Sequence, residues 1–275
     1  MKRWWFVIGA VLILAGGLAL LRSLLEALGI MFRVGWIFWP VVLIGVGVWL
    51  VLGFSRGGSG QGEVPREQAS VPLDGATEAS VVVHHGAGRL SIGGGAGPEQ
   101  LLAGSFGGGL NASTTRSGNR IDVDMKIKDR DVSHYIFGPW NRGWAGMLDW
   151  DFTVNPSIPL TLRLETGASE TRLSLADVQV RDLKVQTGAS STVIELPARA
   201  GYTRLTVEAG AASVKIRVPP EVAAAIQAKS ALAGINVDKV RFPHGGGGWR
   251  SPNYDAAANK VEIFVETGVG SIDIR

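Results

Sequence analysis

A ten-residue phrase occurs twice in this chain, and its recurrence limits the possible folds more than any other feature. TGASETRLSL begins at Thr166, and TGASSTVIEL begins at Thr187. Weaker copies begin at His84, Glu208 and Glu266. Repetition with a period of about 20–50 residues is typical of solenoids, in which each repeat forms one rung of a stack.

Each copy carries a glycine at a comparable place. The predicted rung glycines are Gly86, Gly167, Gly188, Gly210, Gly234 and Gly268. From Gly167 onward, the intervals between them are 21, 22, 24 and 34 residues. Glycine permits a backbone conformation or a close approach that a Cβ atom would obstruct. We therefore predict that each glycine marks a tight corner at which one strand turns into the next.

The residues around these glycines alternate between apolar and polar types. Leu160, Leu162 and Leu164 alternate with polar residues, as do Val214 and Ile216. A two-residue period is that of a β-strand, so a helical repeat is excluded. The run EVAAAIQAKSALAG after Pro220 has a helix-forming composition, but the repeat spacing favours a strand there. The predicted fold is an all-β solenoid or β-roll over residues 78–275.

Two insertions interrupt the repeat, at residues 131–151 and 243–256, and both are rich in aromatic residues. Long loops in compact domains are often functional, and Trp and Tyr dominate protein-binding hot spots. The candidate partner-binding residues are Tyr135, Phe137, Trp140, Trp144, Trp150, Trp249 and Tyr254. Because solenoid ends need covering, a second interpretation is that the first loop caps an end of the stack.

The N-terminal part of the chain is apolar in two separate segments. Residues 4–21 and 34–54 carry no charge, and each is long enough to cross a bilayer as a helix. We predict a transmembrane helical hairpin over residues 1–56 and a flexible Gly- and Ser-rich linker over residues 57–77. The tryptophans predicted at the membrane interface are Trp4, Trp5, Trp36 and Trp39. A cleaved signal peptide is a weaker alternative, because the second apolar segment follows at once.

The charge of the chain is concentrated in the predicted hairpin. Five of the 27 Lys and Arg residues and one of the 24 acids lie in residues 1–56, which leaves 22 basic and 23 acidic residues. We therefore expect no nucleic-acid partner, because binding to phosphates needs a clustered positive surface. Lys2, Arg3 and Arg56 flank one side of the hairpin and Arg22 and Arg33 the other, which weakly favours cytoplasmic ends. The expected location is the cell membrane, multi-pass, with the N-terminus and the β domain in the cytoplasm.

The histidines and glycine runs do not form a recognisable cofactor or metal site. The chain has no cysteine and four histidines. His84 and His85 are adjacent on a predicted strand and point to opposite faces, so they cannot grip one metal together. His134 and His244 lie in the two inserted loops and could join Asp149 only if those loops converge. The glycine run after Gly86 lacks the residues of a phosphate-binding loop. We expect no metal and no cofactor.

Two pairs of carboxylates, Asp122 with Asp124 and Asp129 with Asp131, are the candidates for acid–base catalysis. Asp122 and Asp124 lie two residues apart in IDVDMK and therefore share one face of a strand. Such pairs serve in glycoside hydrolysis, but the simpler interpretation is a solvated strand face. We expect no catalytic residue and no enzymatic activity.

The membrane segments and the repeats both carry a family resemblance. IFWPVVLIGVGVWLVLG resembles the LiaI/LiaF-type hairpin of bacterial envelope-stress proteins, in which Trp-Pro precedes a glycine-containing helix. The repeats, above all NYDAAANKVEIFVETGVGSIDIR, resemble the toastrack β domain that follows such hairpins. The resemblance implies a membrane-tethered regulatory protein whose relatives restrain a sensor histidine kinase.

Three functions are compatible with these features. The first is a membrane-anchored, non-enzymatic regulatory or scaffold protein of the cell-envelope stress response. Its partners would be the lipid bilayer and a membrane protein, such as a sensor kinase or a second copy of itself. The second is an extracellular adhesin-like or carbohydrate-binding domain, and the third is a polysaccharide-active β-helix enzyme.

Overall fold

The computed structural model describes residues 66–128 and 148–275, and the regular structure in these ranges is β-sheet. None of the residues described forms a helix of the length and hydropathy needed to span a bilayer. The predicted hairpin at residues 1–56, with Trp4, Trp5, Trp36 and Trp39, lies outside the described residues. The strands are β1 (Arg66–Pro72), β2 (Glu78–Gly94), β3 (Gln100–Gly107), β4 (Leu110–Ser117), β5 (Arg120–Ile127), β6 (Trp150–Val154), β7 (Leu160–Ser174), β8 (Val180–Glu195), β9 (Tyr202–Arg217), β10 (Ala223–Val237), β11 (His244–Gly245), β12 (Gly248–Arg250) and β13 (Lys260–Ile274).

Six long parallel strands, which we call rungs, form the centre of the domain. They are β2, β7, β8, β9, β13 and β10, in that spatial order. Strand β7 has 15 residues, and a straight strand of that length would extend for about 50 Å. Residues 175–179 alone connect its end to the start of β8, and such a segment spans at most roughly 20 Å. Strand β7 must therefore fold back at its middle into a first arm and a second arm.

The burial pattern places that fold at the predicted corner. In β7, Leu160, Leu162 and Leu164 are buried on the first arm, whereas Thr171 and Leu173 are buried on the second. The alternation thus shifts by one residue around Gly167, so that both arms direct their apolar side chains inward. The buried residues of the two arms form one hydrophobic core. The predicted all-β fold with a two-residue alternation is confirmed.

The order of the rungs departs from the order of the chain. The C-terminal strand β13 lies between β9 and β10 and pairs in parallel with both. Strand β10 does not pair with β9, although it follows β9 in the chain. Residues 238–259 then lead back to β13, which lies between β9 and β10. The last strand of the sequence is therefore an internal rung of the sheet.

Gly234 is not a corner residue, which corrects one of the six predicted positions. Ser230 pairs with Thr267 and Leu232 pairs with Val269, so Ala231 is level with the corner glycine of β13. Gly234 instead pairs with Ser271 on the second arm. The predicted strand from Glu221 is present as β10, but its corner accommodates an alanine. The repeat spacing predicted the wrong corner residue in β10, the last rung, because Gly234 lies on the second arm beyond the corner.

The β2 side of the rungs is covered by shorter strands, and we call it the closed end. Strands β5 and β4 continue the first arms, and β6, β3 and β1 continue the second arms. Strand β1, Arg66–Pro72, lies inside the predicted linker 57–77. The sheet therefore includes residues that precede the predicted start of the β domain at residue 78. Strand β6 begins with the last two residues of the predicted loop 131–151. Both predictions failed because these strands lack glycine corners, which were the signal used to find rungs.

The β10 side of the rungs is less covered, and we call it the open end. The predicted loop 243–256 contains the short hairpin of β11 and β12. Strand β12 pairs with β10 only at Ala225 and Ile226. Phe242 is fully buried just before this hairpin. The hairpin and Phe242 therefore cover only part of the core at this end. Most of the β10 edge is left without a strand partner within the described residues.

Candidate functional site

An open groove follows the corners of the rungs and is the candidate binding site. It crosses from β2 to β10 and has a volume of about 1270 Å³. Each rung contributes the two residues that precede its corner, and every rung except β8 also contributes the corner residue. These lining residues include Glu165, Thr166 and Gly167 from β7, and Glu266, Thr267 and Gly268 from β13. One side-chain pattern is thus repeated along the whole groove.

A column of glycines allows the rungs to approach each other at the corner. A Cβ atom on Gly188 would lie 3.1 Å from the carbonyl oxygen of Gly167, and one on Gly210 would lie 2.9 Å from that of Gly188. A Cβ atom on Gly268 would lie 2.8 Å from the carbonyl oxygen of Gly210, and one on Gly167 would clash with that of Gly86. The close approach predicted for the repeated glycine is therefore confirmed at these corners.

The outward residue two positions before each corner forms a charged row along the groove. In spatial order the row is His84, Glu165, Gln186, Glu208, Glu266 and Lys229, as the strand registers show. Neighbouring strands are about 4.8 Å apart, so adjacent members of the row lie within reach of one another. The row brings three carboxylates, one ammonium group and one imidazole to a single surface. We call it the corner row.

Two of the carboxylates in the corner row already have partners. Glu165 Oε2 lies 2.9 Å from His84 Nδ1. Glu208 Oε1 lies 2.8 Å from Lys184 Nζ, and Gln186 Nε2 donates a hydrogen bond of 2.7 Å to Glu208 Oε2. The hydrogen bonds from Lys184 and Gln186 lower the pKa of Glu208. The side chains of Glu165 and Glu208 are 43% and 44% exposed. Such exposed contacts contribute little to folding and stay open to exchange with a ligand.

On β2, β7 and β8 the inward residues just before the corners form a buried polar row under the groove. His85, Thr166 and Thr187 are adjacent in the strand registers and are at least nine-tenths buried. His85 Nε2 lies 2.7 Å from the carbonyl oxygen of Leu148 and must donate to it, which leaves Nδ1 unprotonated. Nδ1 of His85 and Oγ1 of both threonines have no hydrogen-bond partner within the described protein. Burial lowers the pKa of His85, despite the hydrogen bond to Leu148, and keeps the ring neutral.

The structure separates the predicted aromatic residues that it describes. Trp150 is fully buried at the closed end, where its Nε1 donates a hydrogen bond of 3.0 Å to the carbonyl oxygen of Gly107. It therefore offers no surface to a partner, which corrects its predicted role. Trp249 and Tyr254 are partly buried at the open end. Tyr135, Phe137, Trp140 and Trp144 lie outside the described residues.

The structure also shows the surroundings of Asp122 and Asp124, two of the carboxylates considered for acid–base catalysis. Asp122 forms an ion pair with Arg120 at 2.8 Å, and Asp124 forms one with Lys126 at 3.1 Å. Partial desolvation would raise the pKa of Asp124, but hydrogen bonds and charge from Lys126 and His84 outweigh it and lower that pKa. A low pKa is unsuited to a general acid at neutral pH.

The histidine and aspartate of the inserted loops do not converge. His244 lies at the open end on β11, whereas Asp149 adjoins β6 at the closed end and accepts a hydrogen bond from the Arg89 backbone. Within residues 66–128 and 148–275, no three acidic or histidine side chains are grouped to hold a metal. His134 lies outside these ranges.

The corner row itself was missed by the sequence analysis, although the sequence contains its signal. The residue two positions before the corner glycine is an acid or its amide in Glu-Thr-Gly, Gln-Thr-Gly and Glu-Ala-Gly. The final Glu-Thr-Gly at Glu266 repeats the pattern. The glycines predicted the corners because of their backbone freedom. The recurrent polar residue near each glycine was interpreted only as part of the solvent-facing side of a strand.

Folded parallel strands around one core, crossed by an open groove, define a β-solenoid-like domain. Residues 60–217 match the family model described as the N-terminal domain of toast_rack, DUF2154. This match covers more than half of the chain, so the chain belongs to the toastrack family.

Two solved structures and no curated protein resemble this chain. A crystal structure of a "putative cell adhesion protein" from Clostridium sporogenes ATCC 15579 matches with a TM-score of 0.66 and 19% identity, over 76% of this chain and 98% of that one. A "putative adhesin" from Bacteroides fragilis NCTC 9343 matches with a TM-score of 0.30 and 9% identity, over 78% and 98% of the chains. No curated protein matches the sequence. The first similarity supports the fold alone, because its sequence identity is low.

Proposed function

We propose that this protein is a membrane-anchored, non-enzymatic regulatory or scaffold protein of the bacterial cell-envelope stress response. Its toastrack domain would hold a protein partner against the corner groove, and its two apolar segments would keep the domain at the membrane. The observation that carries the proposal is the groove itself, because one pattern of exposed polar side chains is repeated there across six rungs.

The geometry of the groove favours binding over catalysis. Its carboxylates are exposed, and the shift found at Glu208 lowers the pKa. Enzymes that use carboxylic acids as proton donors bury them so that the pKa rises. An open surface of repeated polar groups instead suits recognition of an extended partner segment, which can exchange the internal ion pairs for new ones.

The membrane anchor remains a proposal that the sequence supports. Residues 4–21 and 34–54 are uncharged and long enough to cross a bilayer. Confinement to the membrane raises the effective concentration of a binding domain toward other membrane proteins. A weak contact in the groove would then be enough for regulation.

A topology reporter tests the proposed arrangement. A reporter fused after Arg275 should show activity on the cytoplasmic side of the membrane, because both ends of the hairpin are expected there. A reporter that is active only outside the cell would contradict this arrangement and favour the adhesin-like or carbohydrate-binding alternative.

Cross-linking to membrane partners tests the groove. We expect Glu208→Lys to abolish cross-linking of the full chain to its membrane partner, because the substitution reverses a charge at the middle of the corner row. Glu170→Lys is the matched control, because Glu170 is 50% exposed and ion-paired but lies on the second arm, outside the groove. Equal cross-linking by both variants would remove the groove from the function.

The aromatic residues of the first insertion remain proposed partner contacts. Tyr135, Phe137, Trp140 and Trp144 should contribute to partner capture if they form a hot spot. Their joint replacement by serine should then reduce cross-linking while the domain keeps its thermal stability. A loss of stability instead would favour the interpretation that they cap the stack.

A further inference from the structure

The outer edge of β10 has no strand partner over most of its length within the described residues. β13 pairs with β10 on one side from Ala223 to Val237. On the other side, β12 pairs only with Ala225 and Ile226. Apart from the Ala233 carbonyl oxygen, which accepts a hydrogen bond of 2.9 Å from Ser230 Oγ, the backbone N–H and C=O groups that face outward from Gln227 to Val237 are therefore available to another strand. An edge of this kind is a template for pairing with a further chain.

The hydrophobic core is also incompletely covered at this edge. No residue from Gln227 to Asn236 is buried. Ile235 points inward but is only partly buried, although Ile272, its register partner on β13, is 1% exposed. On the outer face, Leu232 is 80% exposed and adjoins Val269, which is 51% exposed. This edge thus combines a free backbone with exposed apolar side chains.

The closed end shows how the same chain protects an edge that stays unpaired. The outer strand of the first arms, β4, exposes Asn111–Ser117, a stretch of polar residues, alanine and one arginine. The outer strand of the second arms, β1, ends in a proline and carries Arg66 and Glu67. Polar, charged and proline residues are the usual means of preventing edge-to-edge association. The second arm of β10, residues 232–237, has no charged residue and no proline, and Asn236 is its one polar side chain.

From this contrast we infer that the second arm of β10 pairs in antiparallel fashion with the same strand of a second copy, which forms a closed two-fold dimer. The occupant is a second copy because the edge is self-complementary. Lys229 is the only charged residue between Gln227 and Val237, so two such edges meet without a series of like charges. The pairing joins both sheets and covers the partly exposed Ile235 of each copy with the other.

Two-fold pairing also explains why only one end is open. An interface that uses the same surface on both copies closes after two subunits and leaves no edge for further growth. The polar strands of the closed end then face solvent at both ends of the dimer. A head-to-tail stack would instead place the apolar β10 edge against the polar β4 and β1 edges. The inference goes beyond the proposed function, because the groove ends on β10 at Lys229, Ser230 and Ala231, whereas the inferred contact uses the second arm that follows them.

The absence of cysteine from the chain permits a direct test by single-cysteine cross-linking. Leu232→Cys, Gly234→Cys and Asn236→Cys are introduced one at a time into the full chain and oxidised in isolated membranes. A disulfide requires Cα atoms about 5.5 Å apart, so efficient cross-linking reports strand pairing and not proximity alone. We expect a cross-linked dimer from at least one of these positions.

Two controls separate strand pairing from collisions on the membrane. Thr115→Cys lies on the exposed edge strand of the closed end, and Val240→Cys lies at a 92% exposed position that follows β10. Both should give little dimer. Equal yields from all positions, or no dimer from any β10 position, would overturn the inference. Cross-links from β10 to a different protein would also overturn it.

A second variant tests the apolar contact without disturbing the fold. In the background of the best cross-linking position other than 232, Leu232→Lys should weaken association by about tenfold. Because Leu232 is 80% exposed, the substitution should leave the melting temperature of the domain unchanged. Val240→Lys is the matched control and should leave cross-linking intact. Cross-linking that survives Leu232→Lys would overturn the inferred interface.

Discussion

Trp150 and Trp249 both lie in aromatic insertions of the sequence, but they occupy opposite ends of the rungs with different consequences. Trp150 is fully buried at the closed end, in edge-to-face contact with Phe106 at 5.2 Å, and its indole N–H is hydrogen-bonded. Trp249 is partly buried at the open end, where its Nε1 has no partner within the described protein. A large aromatic side chain thus completes the core at one end, whereas the other end is only partly covered.

The two ends are stabilised by different means. At the closed end, strands with polar edges cover a core that contains Trp150, Phe106 and Phe152. At the open end, the last rung has small inward residues such as Ala228 and Ser230, and its apolar edge is exposed. We therefore expect substitutions at the closed end to affect folding and substitutions at the open end to affect association.

Removal of residues 260–275 should have the largest effect, because β13 is an internal rung although it ends the sequence. Its five buried apolar side chains contribute about 1.5–3 kcal/mol each. Their sum is comparable with the whole stability of a typical domain, about 5–15 kcal/mol. These apolar residues are Val261, Ile263, Val265, Ile272 and Ile274. Circular dichroism should show loss of the cooperative thermal transition.

Replacement of residues 244–250 by a Gly/Ser segment of equal length is the control for this deletion. It removes the β11–β12 hairpin at the open end and should lower the melting temperature less. A cooperative transition that persists after deletion of β13 would show that the rungs stack in chain order after all.

Trp150→Ala should be the most destabilising single substitution. Loss of a fully buried tryptophan costs about 3–5 kcal/mol, because a cavity remains in the core. Trp249→Ala should cost clearly less, since the side chain is partly exposed and its indole N–H makes no hydrogen bond to lose. Denaturant unfolding of the two variants measures the difference. Equal losses would contradict the distinction between the two ends.

Gly210→Ala and Gly234→Ala should shift stability in opposite directions. A Cβ atom on Gly210 would lie 2.9 Å from the carbonyl oxygen of Gly188 and force the rungs apart, at a cost of about 1–3 kcal/mol. A Cβ atom on Gly234 meets nothing within 4 Å, and loss of glycine flexibility should stabilise the fold by up to about 1 kcal/mol. Thermal melting of both variants provides the test, and a destabilised Gly234→Ala would restore Gly234 as a corner residue.

His85 should make the stability of the corner depend on pH, with the smallest of these effects. Its pKa is lowered from 6.5 in the folded state, mainly by burial, so below that pH the unfolded chain binds a proton that the folded chain does not. Stability should therefore fall as the pH decreases through this window. The melting temperature of His85→Gln should change less between pH 7.5 and 5.5 than that of the original chain.

His84→Gln is the control for this pH dependence, because His84 is 32% exposed. The corresponding corner position at the open end is Ser230, which has no titratable group near neutral pH. A His84→Gln profile as flat as that of His85→Gln would locate the proton uptake on the surface and not at the buried corner.

Much of the regular part of the fold could be predicted because its signals are local. The alternation of Leu160, Leu162 and Leu164 and the repeated Gly167 and Gly188 mark strands and corners directly. The same logic failed for β1 and β6, because short strands without a corner glycine carry no repeat signal. It also failed for Trp150, since an aromatic residue in a nonrepetitive segment looks alike whether it is buried or exposed.

The candidate groove illustrates a different limit. Glu165, Glu208 and Glu266 each precede a corner glycine by two residues, so their recurrence is visible in the sequence. Their convergence is not visible, because it depends on which strands are neighbours. Only the register that places Glu266 beside Glu208 brings the carboxylates into one row.

Folded β-strands with glycine corners can be recognised in the amino-acid sequence, because side-chain alternation and the space that glycine leaves act over a few residues. Tertiary structure alone decided that β13 enters between β9 and β10, that Ala231 occupies the last corner, and that the two ends differ. The reason is that backbone hydrogen bonds are the same for every strand, so the choice of neighbours depends on how the whole core is covered.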